Sequence, residues 1–393
     1  MTSLGPIFAD DLARVKPGDR LRLTISAQTS DAAALAQAAL EARARGERVL
    51  VVCADPADVP RLAQEMPWFE PKLDVRPLPD WETLPYDVLS PQEELVSERL
   101  EALYRLTAPT GGADVLLTSA VTASQRLSPV SYIGANTFFF HQGEQISLTT
   151  LQKRLAAAGY TNVKQVLAAG EFAVRGSIVD VFPMGSERPF RLDFFDDEIE
   201  SIRWFDVDTQ RSMESAEEIR LLPGHEFPVD PEALLAFRQR WRREFAGDPK
   251  KSIVYCDIEK EILPPGIEYY LPLFFDETAA LTDYLPPNAR VFLLGDIEAA
   301  LQAFGRDMAS HYKVLAADPQ RPALAPERIW LKPEEFFKSL ANFARFTVEE
   351  KENAEDLKRL TGIEVDRKSQ NPVGKLLERT RESAMKGVRT LIA

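Results

Sequence analysis

The sequence GEFAVRGSIVDVFPMGSERPFRLDFFDDEIESIRWFDVD occupies residues 170–208 and predicts a compact antiparallel β-meander. Branched and aromatic residues are concentrated in three short runs, and such residues favour strands because they pack well on a pleated surface. The predicted strands are residues 177–182, 189–195 and 199–205. The proline, glycine and aspartate residues between them are typical of tight turns. Short strands separated by such turns indicate an antiparallel sheet.

The second predicted strand has two chemically different faces, because side chains alternate along a strand. The apolar set is Phe190, Leu192 and Phe194, and the other set is Arg191, Asp193 and Phe195. If the apolar set faces the core, Phe195 lies outside beside Arg191, and Arg175 adds a second guanidinium nearby. One interpretation is a protein-binding anchor, which arginine and aromatic residues often form. The other is a structural edge, in which Phe195 caps the core and the arginines pair with aspartates. The aspartates available for that pairing are Asp193, Asp196 and Asp197.

Length and composition are those of an ordinary globular protein. The 393 residues favour about two to four domains. A hydrophobic fraction of 45% with 27% charged residues allows substantial cores. The sequence has no apolar run long enough for a membrane span and no basic, then apolar, amino-terminal segment, so we expect neither a membrane helix nor a signal peptide. The two cysteines, Cys53 and Cys256, form no disulfide framework and favour a cytoplasmic location.

The net charge disfavours nucleic acid as a direct partner. The chain carries 47 basic and 61 acidic residues, which gives a formal charge of −14. Lysine and arginine are scattered, often beside aspartate or glutamate, so the sequence predicts no strongly basic patch. Since duplex DNA repels an acidic chain whose charges are not segregated, we expect no non-specific DNA binding by this chain alone.

Residues 20–127 alternate predicted strands with predicted helices. The strands are residues 21–26, 48–53, 73–77 and 114–119, and the helices are 31–44, 56–66 and one that a capping box at 90–93 (SPQE) opens. Continuous apolar runs such as VLVVC at 49–53 are typical of parallel strands buried on both faces. This alternation predicts a layered α/β domain with a parallel sheet.

The same alternation returns after the meander. Helices are predicted at residues 230–245, 296–304 and 334–340, and strands at 290–294, 328–331 and 345–348. We therefore expect residues 1–128 and 223–348 to form one α/β domain in two segments, with residues 129–222 as an inserted β-rich (α+β) domain. Residues 349–393 are predicted to be a charged linker and the truncated start of a further domain, with a helix at 372–386 and a strand at 388–393.

Three long segments together resemble a known family. They are the meander, LPDWETLPYDVLSPQEELVSERLEALYRL at residues 78–106, and LPPGIEYYLPLFFD at residues 263–276. They resemble the amino-terminal module of the bacterial transcription-repair coupling factors (Mfd), a module that is itself similar to the excision-repair protein UvrB. The resemblance covers about residues 15–350 in order. It implies a degenerate P-loop, helicase-like parallel-sheet domain, with residues 1–128 as domain 1a, 129–222 as a UvrA-binding domain 2 and 223–348 as domain 1b.

The resemblance also implies a partner and a site. In the family this module recruits UvrA, and the family's UvrA-contacting positions fall on Arg175, Arg191 and Phe195, with matching residue types. It implies that RNA polymerase and duplex DNA are bound only by further domains of the full-length protein, an ATP-driven DNA translocase. It implies as well that those domains can mask the UvrA-binding surface. The chain is thus expected to be a non-catalytic recruitment module for nucleotide excision repair of lesions that stall RNA polymerase.

A UvrB-like fold raises the alternative of an ATP-dependent damage-verification or DNA-binding protein. A phosphate-binding loop needs glycines to bring backbone N–H groups onto phosphate, together with a lysine and a serine or threonine. The segment after the first predicted strand, SAQTSDAAALAQ at residues 26–37, has neither glycine nor lysine. Lys375 follows Gly374 but lies in no such motif. We therefore predict no ATPase activity and no cofactor for this chain.

The remaining candidate residues favour structural roles. His141, His225 and His311 are dispersed without metal-ligand spacing, so no metal site is predicted. The segment WETLPY at residues 81–86 could stack on a base, but packing against the following helix is the favoured interpretation. Cys53, within an apolar run, is expected to be a buried small hydrophobic residue.

Overall fold

The computed structural model describes residues 14–25, 28–108, 112–350, 371 and 373–387. Most of the predicted charged linker and the predicted strand at 388–393 lie outside these described residues. None of the described helices is both long and apolar enough to cross a membrane.

A six-stranded parallel sheet is built from two separate parts of the sequence. Its strands, in order across the sheet, are Arg20–Ile25, Ala344–Glu350, Arg290–Leu294, Val49–Cys53, Val115–Ser119 and Val75–Pro77. Four of these strands precede the meander in sequence and two follow it, and the later two lie between the first strand and Val49–Cys53. The chain therefore has the mixed α/β architecture that the alternation of strands and helices predicts.

Alternate residues of the central strands face two different cores. Leu50 and Val52 belong to the core shared with the antiparallel sheet. Val49, Val51 and Cys53 belong to a second core, formed with the helices Gln28–Ala44 and Asp58–Phe69. Burial raises the pKa of the Cys53 thiol to about 12, so Cys53 is the buried small residue that the sequence predicts.

The other helices surround these layers. They are Glu93–Thr107, Ala120–Ser124, Val130–Ala135, Leu148–Ala157, Pro231–Glu244, Ile253–Glu259, Ile297–Leu315, Pro326–Ile329, Pro333–Ser339 and Gly374–Met385. Three short 3₁₀ helices are Pro249–Lys251, Ile267–Leu273 and Leu281–Tyr284. Several helices between residues 227 and 330 meet in a third core, which is rich in aromatic residues and includes Trp81. Trp81 is 3% exposed, so it packs in the interior, as the favoured interpretation of WETLPY predicts.

The meander is part of a six-stranded sheet that is antiparallel except at one edge. In order across the sheet its strands are Ser212–Ala216, Glu198–Phe205, Phe190–Phe195, Ile178–Val181, Glu171–Arg175 and Thr161–Asn162. A separate two-stranded sheet pairs Phe138–His141 with Glu218–Leu221. The three strands predicted for the meander are all present. The edge strand Ser212–Ala216 was not predicted, because its sequence SMESA lacks the branched and aromatic residues that indicate a strand.

Helix Glu93–Thr107 fastens the antiparallel sheet to the parallel one. The backbone N–H of Gly185, in the turn after the strand Ile178–Val181, donates to Ser97 Oγ at 2.7 Å. Arg220 pairs with Glu101 on the next turn of the helix. Arg99 is fully buried, and its Nε donates to Glu226 Oε1 at 2.6 Å. The Gly185 hydrogen bond and a continuous apolar core join the helix to the antiparallel sheet, while Arg220 belongs to the two-stranded sheet and Glu226 to the loop after it.

Two local predictions are wrong. Residues 328–331 were predicted to form a strand, but Pro326–Ile329 is a helical turn, and Trp330 turns into the aromatic core, 5.1 Å from Phe304. Ser90 was predicted to cap the following helix, but that helix begins at Glu93 without a side-chain cap. Ser90 Oγ instead donates to Glu268 and accepts a hydrogen bond from the backbone of Gly266.

Candidate partner-binding site

Phe195 lies at the end of a strand, immediately before a two-residue turn. The strand Phe190–Phe195 alternates between buried and more exposed residues, as the period of two requires. Phe195 is the most exposed residue of the strand, with 68% of its surface open to solvent. The turn to the next strand begins at Asp196, whose φ of 53° is in the left-handed region that aspartate tolerates better than most residues. The hairpin thus presents a large aromatic ring to solvent.

One buried carboxylate joins the two arginines that the sequence singled out. Asp180, in the middle of strand Ile178–Val181, has no exposed surface. Arg191 donates from Nε to Asp180 Oδ1 at 2.6 Å and from Nη2 to Oδ2 at 2.9 Å. Arg175 also pairs with Asp180 through Nη2. The two positive charges therefore lie on one face of the sheet, around a single negative charge.

The strand register places these residues together. Asp180 is directly opposite Arg191 on one side and Ala173 on the other. Residues directly opposite on antiparallel strands project from the same face of the sheet. Arg175 lies two residues beyond Ala173 on the same strand, so its side chain reaches Asp180 from the neighbouring row.

Arg191 is held on several sides. Besides Asp180, its Nη1 donates to the carbonyl oxygen of Gln210 and to Ser212 Oγ, both at 3.1 Å. Its guanidinium lies 4.9 Å from the ring centre of Phe205. The hydrogen bond to Asp180 raises the pKa of Arg191 above its usual value. Only 13% of the side chain is exposed, so Arg191 is largely an internal part of the face.

Arg175 is the more accessible of the two arginines. It ends the strand Glu171–Arg175, next to the turn at Gly176, and 46% of its side chain is exposed. A guanidinium in this position can keep its bond to Asp180 and still offer N–H donors to a partner. The structure thus places Arg175, Arg191 and Phe195 on one sheet, with Arg175 and Phe195 open to solvent.

The interpretation of this face as a structural edge predicted that the arginines pair with Asp193, Asp196 and Asp197, and those aspartates are the wrong ones. The described ion pairs of Arg175 and Arg191 are both made with Asp180, while Asp193 accepts a hydrogen bond from Ser201 at 2.9 Å. The sequence did carry a signal for Asp180: it stands alone in the apolar strand IVDV. A carboxylate at such a position is buried, and a buried carboxylate requires a charged or hydrogen-bonding partner. Its partners come from other strands and are not visible from the local pattern.

Acidic side chains line a shallow groove beside the hairpin, where Glu198 is directly opposite Phe195 in the strand register. Glu198, Glu200 and Glu217 line it, together with Gln142 and Gly143. Gln145 Nε2 donates to Glu198 at 2.7 Å across this groove. Among the residues that the structure describes, no group of three or more histidine, cysteine, aspartate or glutamate side chains is placed to hold a metal ion.

The first turn of helix Gln28–Ala44 carries a charge pair where a phosphate-binding loop would need free N–H groups. Asp31 is buried and accepts two hydrogen bonds from Arg61, at 3.0 and 2.6 Å. The backbone N–H of Ala32 also donates to Asp31 Oδ1 at 2.6 Å. Arg61 also pairs with Asp58 and Glu65, so three carboxylates surround one guanidinium, and their net negative charge repels a phosphate. Residues 26 and 27, which precede the helix, lie outside the described part of the chain.

Comparison with known proteins identifies relatives of this chain. A family model described as "UvrB interaction domain" matches residues 138–227, the region that contains the antiparallel sheet. The transcription-repair-coupling factor of Escherichia coli (strain K12) is 42% identical over 298 residues, which are 76% of this chain and 26% of that protein. The corresponding factor of Haemophilus influenzae is 44% identical over 277 residues, 70% of this chain and 24% of that protein. That of Bacillus subtilis (strain 168) is 32% identical over 216 residues. The chain therefore spans about a quarter of the length of the first two relatives.

Proposed function

Because this chain carries a UvrB interaction domain and is related to the transcription-repair-coupling factors, we propose that it is a non-catalytic recruitment module that binds UvrA. In this proposal the outer face of the antiparallel sheet is the binding surface. Phe195 is the apolar anchor, Arg175 is an accessible hydrogen-bond donor, and Arg191 fixes the shape of the face between them.

The exposure of Phe195 carries this proposal. A phenylalanine with 68% of its surface in water gives up favourable burial. Phe190 and Phe194, on the opposite face of the same strand, are buried in the core, so Phe195 is the aromatic residue of this strand that is left for a partner. Aromatic and arginine side chains are the residue types that dominate binding energy in protein interfaces. An interface over Phe195 would recover the burial that the isolated chain lacks.

The α/β part of the chain acts as a scaffold in this account. We propose residues 1–128 and 223–348 as the two segments of one degenerate P-loop-like domain, and residues 129–222 as the inserted UvrA-binding domain. The support for a scaffold role is that helix Glu93–Thr107 contacts the antiparallel sheet through the Ser97–Gly185 hydrogen bond and the segment after that sheet through the buried Arg99–Glu226 pair.

The role in a whole protein is a further part of the proposal. The name of these relatives, transcription-repair-coupling factor, describes a protein that couples transcription to repair. We propose that a full-length protein of this kind uses ATP to move on duplex DNA and displace stalled RNA polymerase, through domains other than those described here. Its recruitment module would then bring UvrA, and with it nucleotide excision repair, to the lesion. The other domains could mask the UvrA-binding face until the polymerase is engaged.

A direct binding experiment tests the proposal. The chain is immobilised and titrated with purified UvrA, with bovine serum albumin as the unrelated control protein. We expect saturable binding of UvrA and none of the control. A folded chain that retains no UvrA would contradict the recruitment role. For masking, a full-length relative in its resting state should bind UvrA more weakly than this chain, and equal binding would contradict the masking proposal alone.

A further inference from the structure

A second exposed surface lies on the α/β part of the chain. Its centre is the segment from Glu82 to Ser90, which crosses the 3₁₀ helix Ile267–Leu273. Tyr269 donates from its hydroxyl to the carbonyl oxygen of Leu84 at 3.0 Å, and Tyr86 donates to that of Leu324 at 3.0 Å. We call this segment and the residues beneath it the Tyr86 surface.

Three apolar side chains of this segment are turned toward solvent. Leu84 is 72% exposed, Leu89 is 60% exposed and Val88 is 50% exposed. Single exposed apolar residues are common on protein surfaces, but a contiguous group marks a site of interaction. The three residues lie within a run of six positions, and the Tyr269 hydroxyl holds the backbone of this run at Leu84.

A cavity of about 90 Å³ opens beside the patch. Its lining includes Tyr86, Val88, Tyr269, Tyr270, Leu315 and Leu324. A cavity of roughly 150 Å³ is large enough to take up benzene. The smaller volume here suits a single branched aliphatic side chain, which would contact the tyrosine rings.

The backbone of the segment is held in an unfavourable conformation. Glu82 has a φ of 55° and Tyr86 a φ of 67°, both in the left-handed region that glutamate and tyrosine rarely adopt. Gly266 beneath them has a φ of 79°, and a Cβ there would lie 2.5 Å from the carbonyl oxygen of Asp87. Strained residues of this kind cluster at ligand-binding sites, where the surrounding contacts hold them in place. The contacts of Tyr86 and Tyr269 hold the segment in this conformation.

The charges around the cavity select the kind of partner. Glu82, Asp87 and Asp318 place three carboxylates on the segment and the cavity wall. Among the described residues of the lining, Arg321 is the single cation, and its Nη1 donates to the carbonyl oxygen of Pro265 at 2.9 Å. An acidic rim repels nucleic acid and attracts a basic polypeptide.

We propose that the Tyr86 surface is a second protein-binding site, which takes a basic segment of a partner polypeptide and buries one branched aliphatic side chain in the cavity. The exposed Leu84, Val88 and Leu89 contact the flanking part of the segment, and Glu82 and Asp87 pair with its lysine or arginine residues. This site is separate from the face that carries Phe195, and the proposal does not depend on UvrA binding.

A peptide of defined sequence tests the proposal on the intact chain. The probe is a fluorescein-labelled heptapeptide, Lys-Lys-Gly-Leu-Gly-Lys-Lys, and the readout is fluorescence anisotropy. We expect saturable binding that weakens at least about tenfold when serine replaces the leucine of the peptide. Val88→Ser and Glu82→Lys in the protein should each weaken binding by about the same factor. Both positions are exposed, so both variants should fold, and circular dichroism checks this.

Matched controls separate this site from other surfaces. Leu235→Ser changes an exposed leucine of helix Pro231–Glu244, and Glu200→Lys changes an exposed acid beside the hairpin groove. Neither variant should alter peptide binding by more than about twofold. The same is expected of Phe195→Ala. Equal binding of the leucine and serine peptides, unchanged binding by Val88→Ser, or a DNA duplex that binds the surface more tightly than the peptide would each overturn the proposal.

Discussion

Asp180 and Arg191 lie directly opposite each other on neighbouring antiparallel strands, and two hydrogen bonds of 2.6 and 2.9 Å join them. The carboxylate is fully buried, and Arg175 completes its neutralisation from the next strand. A buried charge of this kind is tolerated only when it is paired and hydrogen-bonded. The pair therefore does two things: it stabilises the sheet, and it fixes the guanidinium positions on the proposed UvrA-binding face.

The first prediction concerns Asp180→Asn. Asparagine has the same shape but no charge, so two guanidinium groups would remain beside a neutral amide. Loss of one partner of a buried ion pair costs about 3–5 kcal/mol. We expect a loss of that size in the free energy of unfolding, measured by urea denaturation. The control is Asp197→Asn in the exposed hairpin turn, which should change it by less than about 0.5 kcal/mol. Equal effects of the two substitutions would contradict the structural role of Asp180.

The second prediction separates the two arginines. Arg191 is 13% exposed and holds Asp180, Gln210 and Ser212, so Arg191→Ala should destabilise the chain by about 3 kcal/mol. Arg175 is 46% exposed, and Arg175→Ala should cost only about 1 kcal/mol. Arg175→Ala is therefore the better probe of UvrA binding, because its fold is retained. The expected order of unfolding midpoints in urea is wild type, Arg175→Ala, then Arg191→Ala, and a reversed order of the two variants would refute this assignment.

The third prediction concerns pH and Glu268. Burial raises the pKa of this carboxyl from 4.5 to about 7, and the Ser90 hydroxyl bonded to it only partly offsets the effect. The folded chain therefore favours the protonated form. That stabilisation is fully present below pH 4.5 and is lost as the pH rises through 7. Glu268→Gln keeps a neutral side chain, so its stability should not show this decline.

His225 changes the stability of the folded chain in the opposite direction over part of the same pH range. Burial lowers its pKa from 6.5 to about 4, so its contribution is present above pH 6.5 and is lost as the pH falls toward 4. The two groups offset each other in the wild type. When the pH falls from 6.5 to 4, the free energy of unfolding of Glu268→Gln should therefore decline more steeply than that of the wild type. The difference in slope should be up to about 1.4 kcal/mol per pH unit. Urea denaturation of both proteins at pH 4.5, 5.5, 6.5 and 7.5 measures the difference, and parallel curves would show that Glu268 is not responsible.

The fourth prediction concerns nucleotide. The Asp31–Arg61 pair occupies the first turn of helix Gln28–Ala44, and the segment at 26–37 has neither glycine nor lysine. We expect no saturable heat when the chain is titrated with Mg-ATP in a calorimeter, with UvrB as the positive control. Binding with a dissociation constant below about 1 mM would support the alternative of an ATP-dependent, UvrB-like protein.

The centre of the parallel sheet could be predicted from the sequence because its central strands are nearly continuous apolar runs. VLVVC at 49–53 and RVFLL at 290–294 form strands at Val49–Cys53 and Arg290–Leu294. Both strands are buried on two faces, so every residue is apolar or shielded, and no helical pattern competes. The meander could also be predicted from the sequence. Its strands are rich in branched and aromatic residues, and proline, glycine and aspartate residues mark the turns between them.

Long-range contacts explain what the sequence did not show. Ser90 has the spacing of a helix cap, yet it bonds to Glu268, which is 178 residues away in sequence. Trp330 has a strand-like setting, yet its ring packs among Tyr86 and Phe304. The partners of Asp180 come from two other strands. In each case the deciding neighbour is distant in the chain, and a local pattern carries no information about it.

The central claim is that Phe195 anchors UvrA to the antiparallel sheet, and one affinity measurement tests it most directly. UvrA is titrated by calorimetry into the wild-type chain, Phe195→Ala and the matched control Leu235→Ala. Phe195 is 68% exposed, so its truncation should leave the unfolding midpoint nearly unchanged. We predict that Phe195→Ala weakens UvrA binding by about 2 kcal/mol, roughly thirtyfold, while Leu235→Ala has no effect. Equal affinity of the folded Phe195→Ala variant and the wild type would contradict the claim.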